Sequence, residues 1–219
     1  MLPLYVRLVM LVGDGAGAYK MAASVVARGG VVAFRTDTFY GLGADPFNRA
    51  ALQKIFELKG REEGKPILVI ISDESLLEKF IADRSLLFNA VTQKHWPGAL
   101  TIVARAREEI PVELTAGTNS VGVRLPEDAD VREFVRACGG ALTATSANLS
   151  GMPPAQNAAD VESYFDDRVD LIVDSGSARS YQPSSVLDLS NAEPRLIREG
   201  VIPRETIRGT LESLGLPLK

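Results

Sequence analysis

The stretch Val31-Val32-Ala33-Phe34-Arg35-Thr36-Asp37-Thr38-Phe39-Tyr40-Gly41-Leu42-Gly43 decides how the chain is read. Its first four residues are a continuous apolar run of strand length, the pattern of a strand covered on both faces. Polar side chains then crowd the strand exit. Two glycines follow, so that backbone can approach a small molecule there. A tight turn in which Asp37 bonds its own backbone accounts for the same residues, and both readings stand at this point.

Working outward, the strand is preceded by a helical pattern over Ala18–Ala27, with Met21, Val25 and Val26 on one side and a stop at Gly29-Gly30. It is followed by a second helix capped by Asn48 and running through Leu58, with Leu52, Ile55, Phe56 and Leu58 apolar. Further strand-length runs fall at Ile67–Ile71, Leu100–Ala104, Val121–Leu125, Ala141–Ala144, Leu171–Val173, Val186–Leu189 and Leu196–Ile197. Helices are expected at Glu74–Ile81, Ser85–His95, Val131–Cys138, Ala158–Phe165 and Glu205–Leu214. Strands alternating with helices define an α/β fold, and the close strands between 171 and 197 make part of the sheet antiparallel. No repeat, low-complexity tract or linker divides residues 1–219, so one domain is expected.

Composition narrows the function. The 219 residues carry 24 Lys+Arg against 28 Asp+Glu, a formal net charge of −4, with 46% apolar residues. Disorder, collagen-like repeats and coiled coil are excluded. The net charge gives no global reason to bind nucleic acid, which leaves room only for a local basic patch. One Cys (Cys138) and one His (His95) rule out a disulfide framework and a Cys/His zinc site. The apolar N-terminus lacks a basic lead and is broken by Arg7, unlike a signal peptide, and no run approaches the roughly 20 apolar residues of a membrane span. A cytoplasmic protein is expected.

Several stretches could carry chemistry. Gly13-Asp14-Gly15-Ala16-Gly17-Ala18 matches a dinucleotide fingerprint, with Asp37 about 20 residues on where a ribose ligand would stand. Nothing downstream supplies a hydride-transfer site, and a flexible Gly/Ala entry into the first helix is favoured. Lys59-Gly60-Arg61-Glu62-Glu63-Gly64-Lys65 gathers three cations that can converge on a triphosphate; Lys59 can equally answer the dipole of its helix. Trp96-Pro97-Gly98 reads as architecture, and His95 as a packed or surface histidine. Arg124, inside the apolar strand Val121–Leu125, needs a carboxylate or phosphate partner, either an internal acid or a substrate. Thr143-Ala144-Thr145-Ser146-Ala147-Asn148-Leu149-Ser150-Gly151 holds more hydroxyl and amide groups than a turn requires, although Asn148 or Ser150 can cap a local turn. Pro183-Ser184-Ser185-Val186-Leu187-Asp188 and Leu196-Ile197-Arg198-Glu199-Gly200 again set polar groups beside strands.

Taken in order, Thr36–Gly43, Lys59-Gly60-Arg61, Trp96–Thr101, Val123-Arg124-Leu125-Pro126, Ser146–Gly151 and Ser184–Asp188 closely resemble the YrdC family of threonylcarbamoyl-adenylate synthases, over about residues 18 to 202. The resemblance implies a twisted, mixed, open α/β sheet with flanking helices around a positively charged cavity. It implies conversion of ATP, L-threonine and bicarbonate or CO2 to threonylcarbamoyl-AMP, pyrophosphate and water. That product serves N6-threonylcarbamoyl modification of adenosine 37 of tRNA through a separate transferase machinery. By motif position, Thr38, Arg124 and Ser184 are implied as threonine ligands. Lys59, Arg61, Lys65, Ser120, Ser146, Asn148 and Arg198 are implied for ATP and pyrophosphate, with Lys59 and Arg61 catalytic. Mg2+ is expected with the triphosphate, held by phosphate and water rather than by protein side chains.

The chain departs from the family pattern in places. Arg35 stands where Pro is usual, adding a charge at the cavity mouth or a surface ion pair. Glu127-Asp128 replaces Asp-His, Thr145 replaces Pro, Lys65 replaces Asn or Ser, and Ile70 stands where some relatives have His. The extra C-terminal domain of the longer family branch is expected to be missing. The alternative function is RNA binding without synthase activity, resting on Lys54, Lys59, Arg61, Lys65, Arg105 and Arg107.

Overall fold

Asn48 opens the second helix as its spacing predicts, its side chain accepting from the Ala51 amide, and Gly60 closes it in the left-handed conformation (φ 57°). The same chemistry recurs along the computed structural model, which describes residues 10–60 and 66–216. The order is β1 (Leu11–Gly13), α1 (Ala16–Ala27), β2 (Val32–Arg35), β3 (Tyr40–Gly43), α2 (Arg49–Lys59), β4 (Val69–Ile71), a 3-10 turn (Glu74–Lys79), α3 (Leu86–His95) and β5 (Leu100–Arg105). There follow α4 (Val112–Thr115), β6 (Ser120–Arg124), α5 (Ala129–Ala137), β7 (Ala141–Thr143), β8 (Thr145–Ser146), α6 (Ala158–Phe165), a second 3-10 turn (Asp166–Arg168), β9 (Leu171–Asp174), β10 (Ser185–Asp188), β11 (Arg195–Arg198) and α7 (Arg204–Ser213).

The strands form two mixed sheets. One runs β1-β9-β2-β3-β8 and the other β11-β10-β5-β6-β4-β7. Within the first, β1, β9 and β2 are parallel, and β3 is antiparallel to both β2 and β8. In the second, β5 pairs parallel with β10 and antiparallel with β6. The segment 141–146 joins the two, pairing with β4 through Ala141–Thr143 and with β3 through Thr145–Ser146. Thr143 fixes that crossover: its hydroxyl accepts from the Ala44 amide (2.9 Å) and donates to the Leu42 carbonyl (3.2 Å).

Helices cover the sheets in two apolar clusters. α1 and α5 meet Val32, Phe34, Leu142 and Leu171 in one, where Phe34 stacks on Phe134 with ring centroids 4.8 Å apart. The larger cluster gathers α2, α3, α6 and α7 against the inner residues of both sheets. His95, expected to be a packed or surface histidine, is half-buried between α3 and α7, its Nε2 2.9 Å from the Thr210 hydroxyl.

Two expectations shift. Residues 74–79 form a 3-10 turn rather than an α-helix over 74–81. The strands β1, β3 and β8 and the short α4 were not expected. The glycine-rich stretch of residues 13–18 joins an exposed edge strand to α1, with open space around Gly13, Gly15 and Gly17. No described helix is long and apolar enough to cross a membrane.

Candidate active site

Alternation along three strands builds the floor of a cavity of about 910 Å³. In β5, Thr101 and Val103 face it while Leu100, Ile102 and Ala104 enter the core. In β6, Ser120, Gly122 and Arg124 face it, and Val121 and Val123 are buried behind. Ser184, Val186 and Asp188 continue the pattern on and beside β10. The opposing wall comes from the loop between β2 and β3, from the end of α2, and from residues 144–151.

The β2–β3 loop owes its shape to Thr36. Its amide and hydroxyl both donate to the Phe39 carbonyl (2.9 and 2.7 Å), and the Thr38 amide donates to its hydroxyl (3.1 Å). The turn bond expected of Asp37 is therefore made by Thr36, which presents Thr38 to the cavity. Asp37 turns elsewhere: its Oδ1 lies 3.0 Å from Arg124 Nη1. That contact is a charge pairing without hydrogen-bond alignment, since Arg124 Nη1, Arg124 Nε and Asp37 Oδ1 are all buried with no hydrogen-bond partner. Arg124 is 3% exposed. Of the two partners open to it, the internal acid is the one present: Asp37 balances the charge, while directed donors remain unspent on a residue lining the cavity.

Arg198 sits beside it. Burial, and then the charge of Arg124, lower the pKa of its guanidinium. Its Nε and Nη2 donate to the Ser184 carbonyl (3.1 and 2.9 Å), and Nη2 reaches the Ser184 hydroxyl at 3.3 Å. That hydroxyl also lies 2.9 Å from Thr101 Oγ1. A buried guanidinium, Arg124, and the more exposed one of Arg198 on the same cavity wall make a place for an anion.

At the other end, Lys59 leaves the last turn of α2 and is 5% exposed. Its ammonium donates to the Ser146 carbonyl, the Asn148 carbonyl (2.9 Å) and Asn148 Oδ1 (3.3 Å). Ser146 Oγ donates to Asn148 Oδ1 (2.6 Å), while Asn148 Nδ2 donates to the carbonyls of Leu149 and Met152. Asn148 thus braces a local turn through its Nδ2 rather than capping a helical one, and Lys59 knits that turn to α2. Ser120 stands at the rim, its hydroxyl 3.0 Å from Thr118 Oγ1.

The eight expected site residues among the described ones, Thr38, Lys59, Ser120, Arg124, Ser146, Asn148, Ser184 and Arg198, all line this cavity. Arg61 and Lys65 lie outside the described residues. Charged side chains among the described lining are Lys59, Arg124 and Arg198 against Asp188. Sequence reasoning assigned no role to Thr36, Thr101 or Tyr181, although Thr36 stood in a quoted motif and Thr101 alternates with core residues. Arg35 is neither at the cavity mouth nor on the surface: it is buried and faces Asp128 at 3.5 Å. Of the cations cited for RNA, Lys54 pairs with Asp170, Arg105 with Asp83 and Arg107 with Glu109.

The Sua5/YciO/YrdC family model, described as "Telomere recombination", matches residues 24–200, and the chain belongs to that family. It is 38% identical over 177 residues to a threonylcarbamoyl-AMP synthase of Thiobacillus denitrificans, covering 81% of this chain and 94% of that one. A Pyrococcus abyssi threonylcarbamoyl-AMP synthase is 34% identical over 188 residues, 86% of this chain but 55% of its own length. Among solved structures, P. abyssi Sua5 complexed with L-threonine superposes with a TM-score of 0.89 at 30% identity, covering 97% of this chain and 62% of that one. E. coli YciO shares the fold (TM-score 0.77, 23% identity, 89% and 95% coverage).

Proposed function

We propose that this chain is a threonylcarbamoyl-AMP synthase, using ATP, L-threonine and bicarbonate or CO2. The observation that carries this reading is Arg124: a buried guanidinium on the cavity wall whose Nε and Nη1 lack hydrogen-bond partners. Such donors suit an α-carboxylate held as a planar fork, with the hydroxyls of Thr38 and Ser184 nearby for the rest of a small hydroxy-amino acid.

Bicarbonate supplies CO2 and releases the water. The neutral amine of threonine forms the N–C bond to CO2 and loses a proton, giving a carbamate. A carbamate oxygen then attacks the α-phosphorus of ATP, and the bond to the bridging oxygen breaks as pyrophosphate leaves. No protein nucleophile takes part, so catalysis rests on placing two anions against each other and offsetting phosphate charge. Arg198, the Ser146–Asn148 turn and Lys59 supply that environment, Lys59 acting through the turn that it holds as well as by its charge. Mg2+ enters as the ATP complex, a substrate bound through phosphate oxygens and water. Among the described residues no group of three His, Cys, Asp or Glu side chains sits together to hold a metal. The product would pass to a transferase that modifies tRNA in the cytoplasm.

Incubating the protein with MgATP, L-threonine and isotope-labelled bicarbonate tests the reading: the label should appear in an AMP-containing product only when threonine is present. Label-free AMP alone would contradict it.

A further inference from the structure

Residues 175–184 carry the chain from β9 of one sheet to β10 of the other. Tyr181 in this connection lines the cavity and yet is 89% exposed, so the connection crosses at the cavity's opening. Its ends are pinned. At the start, the Tyr40 hydroxyl donates to the Gly176 carbonyl (2.7 Å) and accepts from the Ser175 amide (3.1 Å). At the finish, Arg198 holds the Ser184 carbonyl and the Val201 amide donates to the Pro183 carbonyl (2.9 Å). The span between is tied by the Ala178 amide to the Gln156 carbonyl and by one ion pair, Arg179 Nη1 to Asp128 Oδ2 at 2.8 Å.

That ion pair is unequal. The Asp128 side chain is 4% exposed and that of Arg179 is 57% exposed. Asp128 also faces the buried Arg35 at 3.5 Å through the same oxygen, and its Oδ1 accepts from the Asp130 amide at the start of α5. If Arg179 leaves, Asp128 keeps a buried counter-charge and a hydrogen bond. Release therefore strands no buried charge, and its cost is that of a half-exposed pair.

We propose that residues 177–183 are a strap that closes over bound substrate, with Arg179–Asp128 as its latch and Tyr181 as the ring laid over the threonine end. Arg179 is a positioning residue here, and the inference rests on the function proposed above. Ser184, the strap's downstream anchor, is itself on the threonine side of the cavity, so closure and threonine placement are mechanically one event. Substrate binds the closed form, and weakening the latch lowers apparent affinity by the fraction of molecules left open.

Arg179→Gln should raise KM for L-threonine about two- to fivefold with kcat nearly constant, the size of a half-exposed ion pair, and Arg179→Lys should restore most of the loss. The KM ratio of Arg179→Gln to wild type should fall towards one near 1 M salt, where screening is nearly complete. Equal KM values, or a ratio indifferent to salt, would overturn the latch. For the strap, Tyr181→Trp adds an exposed reporter to the single buried Trp96. Acrylamide quenching of the new tryptophan should drop about twofold when labelled threonine and ATP are bound, as expected when a ligand selects a closed form. Occupancy by equilibrium dialysis with unchanged quenching would overturn the strap. If the larger ring abolished binding, the Arg179 salt series would decide alone. Failure of wild type to bind threonine would instead overturn the functional reading on which the strap rests.

Discussion

Arg124 combines burial, a charge partner that satisfies no directed hydrogen bond, and a place on the cavity wall. Its role is separable from its charge. Arg124→Lys keeps a cation opposite Asp37 but loses the planar fork, so KM for L-threonine should rise about 10- to 100-fold, the worth of a charged hydrogen bond. KM for ATP should move little, and steady-state kinetics in both substrates would check the split. Cys138 is the opposite case, a reactive residue type made inert. Burial pushes its thiol pKa up to about 12, so iodoacetamide at about pH 8 should label it only as fast as the protein unfolds; rapid labelling of the native protein would contradict that burial. At this scale the sequence was legible wherever a residue type clashed with its surroundings. An arginine in an apolar strand announces a partner, but which acid turns towards it is set by the Thr36 turn, and that turn depends on how the hairpin closes.

Among the elements, α2 and the α3–α7 contact make separate statements. Gly60 ends α2 at φ 57°, with open space where a Cβ would stand. Gly60→Ala should therefore cost about 1 kcal/mol from backbone conformation alone, read as a lower midpoint in urea. Between α3 and α7, desolvation first and the charge of Lys94 second lower the pKa of His95 below 6.5. The folded state thus prefers the neutral ring. Stability from this group is fully present above pH 6.5 and is lost as pH falls through the lower folded value. His95→Gln should flatten the decline in stability below that pH, as measured by thermal melts across the acid range; an unchanged slope would assign the decline to other groups.

Most helices and eight strands follow from periodicity and caps, but β1, β3 and β8 do not. The sequence Tyr40-Gly41-Leu42-Gly43 looks like loop because glycine weakens strands. Here Gly43 is required by close packing, as a Cβ on it would meet the Phe34 ring at 2.7 Å. β8 is two residues long and exists only because β3 offers it an edge. Such strands are decided by distant neighbours, which local pattern does not contain. The 3-10 turn at Glu74–Lys79 is similar: an apolar spacing compatible with a helix is held to a tighter turn that Asp73 caps through the Ser75 amide.

Over the whole molecule, two mixed sheets joined by residues 141–146 leave a cavity between them, and eight of the ten expected site residues fall on its wall. Motif order made that convergence legible. The division into two sheets was not, because it depends on where segment 141–146 changes partner. Gly122 tests the architecture. It lies on the floor, where a Cβ would sit 3.3 Å from Thr101 Cγ2, so Gly122→Val should press into the cavity and impair substrate use more than it impairs folding. Circular dichroism melts beside kinetics would show it, and loss of the fold with the activity would contradict the floor assignment. The central claim is that this cavity joins threonine, CO2 and ATP without a protein nucleophile. Pyrophosphate release in the presence of MgATP and bicarbonate, with L-threonine, with L-serine and with neither, tests it most directly. Release that depends on L-threonine, exceeds that with L-serine and accompanies threonylcarbamoyl-AMP in the mass spectrum is the predicted result. Release indifferent to threonine, or none from folded protein, would contradict it.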